Sequence, residues 1–219
     1  MLRDVDIKDI SDGRLYGSGD MVKADCKDCV GCSECCTGMG ESIVMDPYDV
    51  WRMTTGLNTS FAELMTTGKI ELGVVDGILL PHLCMSKDKD ACVFLNDEGR
   101  CGIHPFRTGF CRLFPLGRVY DEDGNFKYFL QIHECKKTDR AKIKIEKWMD
   151  TPYFKKYEEF IKKWHEITRN LADSLSESGD YELRRTLTME LVKVFFLKPF
   201  TDDDFYSQFE ERVNLWMKK

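Results

Sequence analysis

The chain has 219 residues, 42% of them hydrophobic and 32% charged, with a formal net charge of −6 at pH 7. That is enough apolar material for a globular core, and the mild acidic excess argues against a general nucleic-acid binder. No run of about 18 apolar residues is present, and Met1-Leu2-Arg3-Asp4 opens no apolar signal region, so the expectation is a cytoplasmic chain that stays off the membrane.

In chain order, residues 1–24 are polar, with Gly13, Gly17 and Gly19, and predict an irregular lead-in. A run of cysteines follows, closed by Gly38 and Gly40, and the apolar residues 42–45 predict a short strand. Asp46-Pro47 offers an N-cap with proline at the first helical position, and Gly56 is the expected stop. Ser60 and Glu63 have capping-box spacing for a second helix that Gly68 can end. Strands are predicted at 69–75, 78–85 and 92–95. Residues 116–120 and 126–133 then form a hairpin around 121–125, where Gly124 can take a positive φ. Asp121, Glu122 and Asp123 read as its solvated tip.

Residues 136–147 carry six basic groups against two acids and read as a solvated connector. Beyond Pro152 the apolar period changes to three or four. Phe154, Tyr157, Phe160, Ile161, Trp164, Ile167 and Leu171 mark one helix, and a second starts near Tyr181. A third begins at Thr201, whose hydroxyl caps it while Asp202, Asp203 and Asp204 favour the positive end of the dipole. The expected class is α+β: a cysteine-organised domain with short antiparallel strands over 1–137, then a helical section over 138–219. No internal repeat is present.

Ten cysteines are the unusual count, and Cys26, Cys29, Cys32, Cys35 and Cys36 fall within eleven residues. In a reducing compartment, clustered thiols are more often metal ligands or redox groups than disulfides. Two residues between cysteines let a tight turn aim both sulfurs at one ion. Read through Cys36, the run has the C-x2-C-x2-C-x3-C spacing of bacterial ferredoxins, with Thr37 where a proline usually follows. Five neighbouring donors exceed what one four-coordinate ion needs. Cys84, Cys92, Cys101, Cys111 and Cys135 lie downstream, and Cys84 and Cys135 best fit the alternative of small buried hydrophobes. His104 and His133 are secondary candidates as nitrogen donors, and Arg107 and Arg112 flank Cys111 as candidates for balancing thiolate charge.

The segment Cys29-Val30-Gly31-Cys32-Ser33-Glu34-Cys35-Cys36, followed by Cys92-Val93-Phe94-Leu95, Cys101-Gly102-Ile103 and Cys111-Arg112-Leu113-Phe114-Pro115, resembles the bacterial CxxCxxCC family. Its members are described as chelating zinc or iron, and relatives include flagellin lysine N-methylases thought to carry an iron–sulfur cluster. The resemblance spans roughly 26–135. It implies that Cys29, Cys32, Cys35, Cys36, Cys92, Cys101 and Cys111 are metal-site thiols, with Cys26 extending the motif and Cys135 completing the candidate list. Two positions depart from the family pattern: His104 stands for a tyrosine, and Thr108 follows Arg107 where a proline is usual.

Three readings of function follow. The first is a metal-binding protein holding an iron–sulfur cluster, 4Fe–4S, through these thiolates. The second is a structural zinc-binding interaction module, with an unidentified protein partner. The third, implied by the resemblance alone, is a flagellin-type protein-lysine N-methyltransferase. No phosphate-binding loop and no methyl-donor motif is recognisable, and no catalytic residue is assigned.

Overall fold

The computed structural model describes residues 6–26, 32–201 and 204–218. Its elements in chain order are α1 (Ile7–Ile10), β1 (Met21–Asp25), α2 (Pro47–Leu57), α3 (Phe61–Thr66), β2 (Ile70–Val75), β3 (Ile78–Leu83), β4 (Met85–Ser86) and β5 (Ala91–Cys92). Then come α4 (Gly109–Leu113), β6 (Leu116–Tyr120), β7 (Phe126–Leu130), β8 (Ala141–Lys144), α5 (Ile145–Trp148), α6 (Phe154–Ser178), α7 (Tyr181–Val192) and α8 (Phe205–Trp216). Short 3-10 turns occupy Glu34–Cys36 and His104–Phe106, and a π-helical turn spans Lys193–Leu197. Among the described residues the strands pair as two-stranded antiparallel ladders: β1 with β8, β2 with β3, β4 with β5 and β6 with β7. The class is α+β, and among the described residues no helix is long and apolar enough to cross a membrane.

Two compact units divide the chain. One draws on Met1–Met39, Met85–Gly102 and Gly109–Lys162; the other on Gly40–Cys84, Ile103–Thr108 and Lys163–Lys219.

In the first unit the predicted hairpin forms, in register from Leu116↔Leu130 to Tyr120↔Phe126. Gly124 takes φ +78, and the Asp121 carboxylate accepts the Asn125 N–H at 2.8 Å. The second strand stops at Leu130 instead of reaching 133: the Gln131 N–H still donates in register to the Pro115 carbonyl at 3.0 Å, but Pro115 has no N–H to return the bond. Gly117 lies under the Phe129 ring, where a Cβ would overlap it. The lead-in is not irregular. Asp6 caps α1, and Tyr16 exchanges both backbone hydrogen bonds with Tyr128 at 2.8 and 2.9 Å. β1 alternates exposed and buried residues, with Val22 opposite Ile143 of β8. The lysine-rich stretch read as a connector therefore holds β8 and α5, and Ile145 is fully buried. Val22, Ala24, Leu116, Tyr128, Ile145, Met149 and Tyr157 form this unit's core. Inside it, the Arg118 guanidinium carbon sits 5.4 to 5.9 Å from the ring centres of Phe126, Tyr128 and Tyr157, a charge held by π faces.

In the second unit, Asp46 and Asp49 cap α2 reciprocally, with Pro47 at the first position. Gly56 does not stop this helix. It continues to Leu57 and ends at Asn58 in the left-handed region (φ 50), while Gly56 gives Phe106 room that a Cβ would take. Ser60 accepts the Glu63 N–H at 3.1 Å, but the Glu63 carboxylate accepts the Thr59 hydroxyl, so only half a capping box forms around α3. Residues 42–45 make no strand, only a bridge between Val44 and His82, since the α2 cap begins at Asp46. The helical stripes meet in an aromatic core: Trp164 lies 5.3 Å from Phe195, and Phe205 lies 5.9 Å from Phe209 and 5.1 Å from Tyr48. Burying each such ring stabilises the unit by roughly 1.5–3 kcal/mol. α8 begins at Phe205 with Asp204 as its cap, not at Thr201. The Thr201 N–H instead donates to Gln208 Oε1 at 2.9 Å, and Asp202 and Asp203 lie outside the described residues. Arg212, 4% exposed, donates to the carbonyls of Val194, Lys198 and Pro199 at 2.9, 2.7 and 2.7 Å.

Candidate metal centre

Cys35 and Cys36 ride on the 3-10 turn, closed by the Cys36 N–H on the Ser33 carbonyl at 2.8 Å. Beyond it, Thr37 bridges antiparallel to Ala91, and the Gly38 N–H donates to the Asp90 carbonyl at 2.8 Å. That register runs Cys36 toward Cys92, which is buried on β5 with Met85 on its other side. The Cys92 carbonyl then accepts the Leu95 N–H at 2.9 Å and turns the chain. Residues 96–100 close on themselves: the Asn96 side chain accepts the Arg100 N–H at 2.7 Å, Gly99 takes φ +70, and Leu95 bridges to Cys101. Cys111 sits on α4.

These segments converge electrostatically on Cys36. Its thiol is held well above the ordinary range, first by a hydrogen bond with Cys35, then by burial, then by the charges of Cys35, Cys101 and Cys111. Each of these sulfurs resists losing its proton beside the others, and a bound cation reverses that preference.

Cys135 feels the charges of two further thiols of the same unit. Cys26 is buried just past β1, and Cys135 lies ahead of β8. Burial pushes the Cys135 thiol up, the Lys137 backbone N–H and the Arg140 charge draw it down, and the charges of Cys26 and Cys32 raise it. The Glu34 carboxylate pairs at 2.8 Å with the ammonium of Lys136, the next residue after Cys135.

None of the nine described cysteines is in a disulfide, and Cys29 lies outside the described residues. Among the described residues no group of three or more Cys, His, Asp or Glu side chains is arranged to hold a metal ion. The fit to a metal is therefore one of donor chemistry and proximity: soft sulfur donors, gathered from separate segments, suit zinc or iron.

The secondary candidates fall as follows. His104 Nε2 stands 3.0 Å from Arg107 Nη1, so the arginine occupies that nitrogen. His133 is exposed. Arg112 is 2% exposed, with Nη2 3.5 Å from the Tyr157 hydroxyl, so it is not a surface ion-pair partner. Cys84 belongs to the other unit, its N–H on the Lys69 carbonyl at 3.1 Å. Arg140, beside Cys135, drew no attention in the sequence because it lies in a run of six basic residues whose other members read as solvated.

A family model, CxxCxxCC, described as a "Putative zinc- or iron-chelating domain", matches residues 28–140. No curated protein and no solved structure matches the chain. The match covers more than half of the sequence and takes in the run from Cys29 to Cys36 together with Cys92, Cys101, Cys111 and Cys135, and on that ground the chain belongs to the CxxCxxCC family of zinc- or iron-chelating cysteine-cluster proteins.

Proposed function

We propose that the protein holds an iron–sulfur centre of the 4Fe–4S type through thiolates around Cys36. The carrying observation is the electrostatic convergence of Cys35, Cys101 and Cys111 on Cys36, from three separate segments of chain. The ferredoxin-like spacing of the first run supports the same reading. When bound, such a centre supplies one-electron chemistry. The chain's own part is to present the thiolates. The 3-10 turn sets Cys35 and Cys36 side by side, the closed loop at 96–100 positions Cys101, and α4 carries Cys111. Cys92 lies next in register to Cys36 and belongs to the same group on this reading. The setting it requires is a reducing, cytoplasmic one with a protein partner, and neither nucleic acid nor membrane.

The test is metal and labile-sulfide analysis of protein prepared without oxygen. Iron and sulfide in comparable amounts, with visible absorption that bleaches on reduction, are the expected result. Protein devoid of both iron and sulfide defeats it.

A second reading is structural zinc. An all-sulfur set without a committed histidine is what a closed four-coordinate zinc site uses, and stoichiometric zinc in colourless protein would establish it. A flagellin-type protein-lysine N-methyltransferase activity rests on the resemblance alone, and an S-adenosylmethionine titration of the metal-loaded protein showing no saturable binding removes it.

A further inference from the structure

We propose that the outer edge of β2 is a self-pairing surface, whose partner is a second copy of this chain joined antiparallel about a two-fold axis through Gly73. Neither the edge nor its pairing involves a cysteine.

The hairpin's hydrogen bonds decide which backbone groups face outward. The Cys84 N–H donates to the Lys69 carbonyl at 3.1 Å, while the Leu83 N–H turns away from β2 to the Ile43 carbonyl at 3.1 Å. Opposite residues of an antiparallel ladder alternate between bonded and unbonded pairs. Glu71, Gly73 and Val75 therefore bond to β3, and Ile70, Leu72 and Val74 aim their N–H and C=O groups the other way. β3 is occupied on both sides, since the Met45 N–H also donates to the Pro81 carbonyl at 2.8 Å. β2 is not: among the described residues nothing hydrogen-bonds to the outward backbone of Leu72 or Val74. Ile70 is buried and Leu72 half-buried, but the Val74 side chain is 69% exposed, more than any other large aliphatic among the described residues.

An unpaired strand edge is a template for another strand, and chains that stay apart guard such edges with lysine, proline or a bulge. β2 has none of these: Ile-Glu-Leu-Gly-Val-Val runs along β3 without a break in register. β8, by contrast, exposes Lys142 and Lys144, and its ladder with β1 shifts register.

The strand's own pattern selects the occupant. With the axis through Gly73, Leu72 of each copy lies opposite Val74 of the other, and these two outward-facing pairs exchange about four hydrogen bonds. Each Val74 gains an apolar cross-strand neighbour. Glu71 falls opposite Val75 instead of a second carboxylate, and the axis carries two glycines with no side chain between them. A slip by one residue would set outward groups against inward ones, so the register is fixed. Glu71 is the one charged residue of the strand, so two copies of a chain with net charge −6 meet here with little repulsion. So short an edge buries less than a permanent dimer interface, and the pairing is a reversible one.

The test is sedimentation equilibrium of the reduced full-length chain from about 10 μM to about 1 mM. The weight-average mass should rise from the monomer's value toward twice that value, and the Leu72 and Val74 amides should gain exchange protection over the same range. Val74→Lys puts a guard charge on the edge, and Val74→Pro removes its outward N–H; neither touches a bond to β3. Both should sediment as monomers throughout, with Val74→Lys unfolding at the parent's midpoint, while Val74→Ile should still pair. A parent that stays monomeric to the top of that range overturns the proposal. So does a dimer that persists undiminished in Val74→Lys, which would put the contact elsewhere on the molecule.

Discussion

In residues 32–39 and 85–102, which carry five cysteines, only Ala91 and Cys92 are buried, and β4 and β5 are two residues each. The second unit instead buries Trp164, Phe195, Phe196, Phe205 and Phe209 among long helices. The contrast separates two sources of order. The cysteine loops bury little apolar surface of their own and, on the proposed reading, depend on a metal held by their sulfurs, whereas the aromatic unit is held by its own side chains.

The sharpest way to break this contrast is to strip the metal. Chelation should bring amide exchange in 32–39 and 85–102 close to solvent rates, since thiolate-bound ions can contribute on the order of 10 kcal/mol of folding energy. Amides in α7 and α8 should keep their protection in the same hydrogen-exchange experiment. Equal loss in both regions would erase the distinction.

The converse perturbation is Phe195→Ala. Phe195 is fully buried, and its loss should cost about 3–5 kcal/mol in denaturant unfolding while metal content stays at the parent level. Arg212→Met removes the donor to three carbonyls of the second unit and should cost about 2–3 kcal/mol in the same assay, again with metal retained.

The smallest effect concerns Tyr16, whose hydroxyl donates to the Asp12 carboxylate and whose pKa is pushed up to about 12 by burial, then by Asp12. A phenol with a raised folded value contributes stability that is complete below its ordinary value of 10 and is lost as pH rises through about 12. Unfolding free energies measured across that alkaline window should fall less steeply in Tyr16→Phe than in the parent.

What the sequence revealed follows the range of each signal. The Asp46-Pro47 cap, the Ser60 cap, the 116–130 hairpin and the apolar stripe of α6 depend on neighbours a few residues away, and they form. The β1–β8 ladder was hidden because Met21 pairs with Lys144 across most of the first unit, and because β8 is lysine-rich on its exposed positions. Gly56 misled for a different reason: it makes room for Phe106 within α2 and does not end the helix.

The site divides in the same manner. That Cys32, Cys35 and Cys36 belong to a ligand-spaced run is legible in their intervals. That the charges of Cys101 and Cys111 bear on Cys36, and those of Cys26 and Cys32 on Cys135, is set by how the chain returns on itself, which no spacing encodes.

The wide turn at Lys193–Leu197 closes with the Lys198 N–H on the Lys193 carbonyl at 3.1 Å, one residue more than an ordinary α-turn encloses. A sister chain lacking that extra residue would run straight through as α-helix, with every later position swung by about 100°. The consecutive Phe195 and Phe196, both inside the core, would then lose their shared orientation. The three carbonyls that receive Arg212 all lie in or just past this turn, so its length and the arginine should be gained or lost together among homologues.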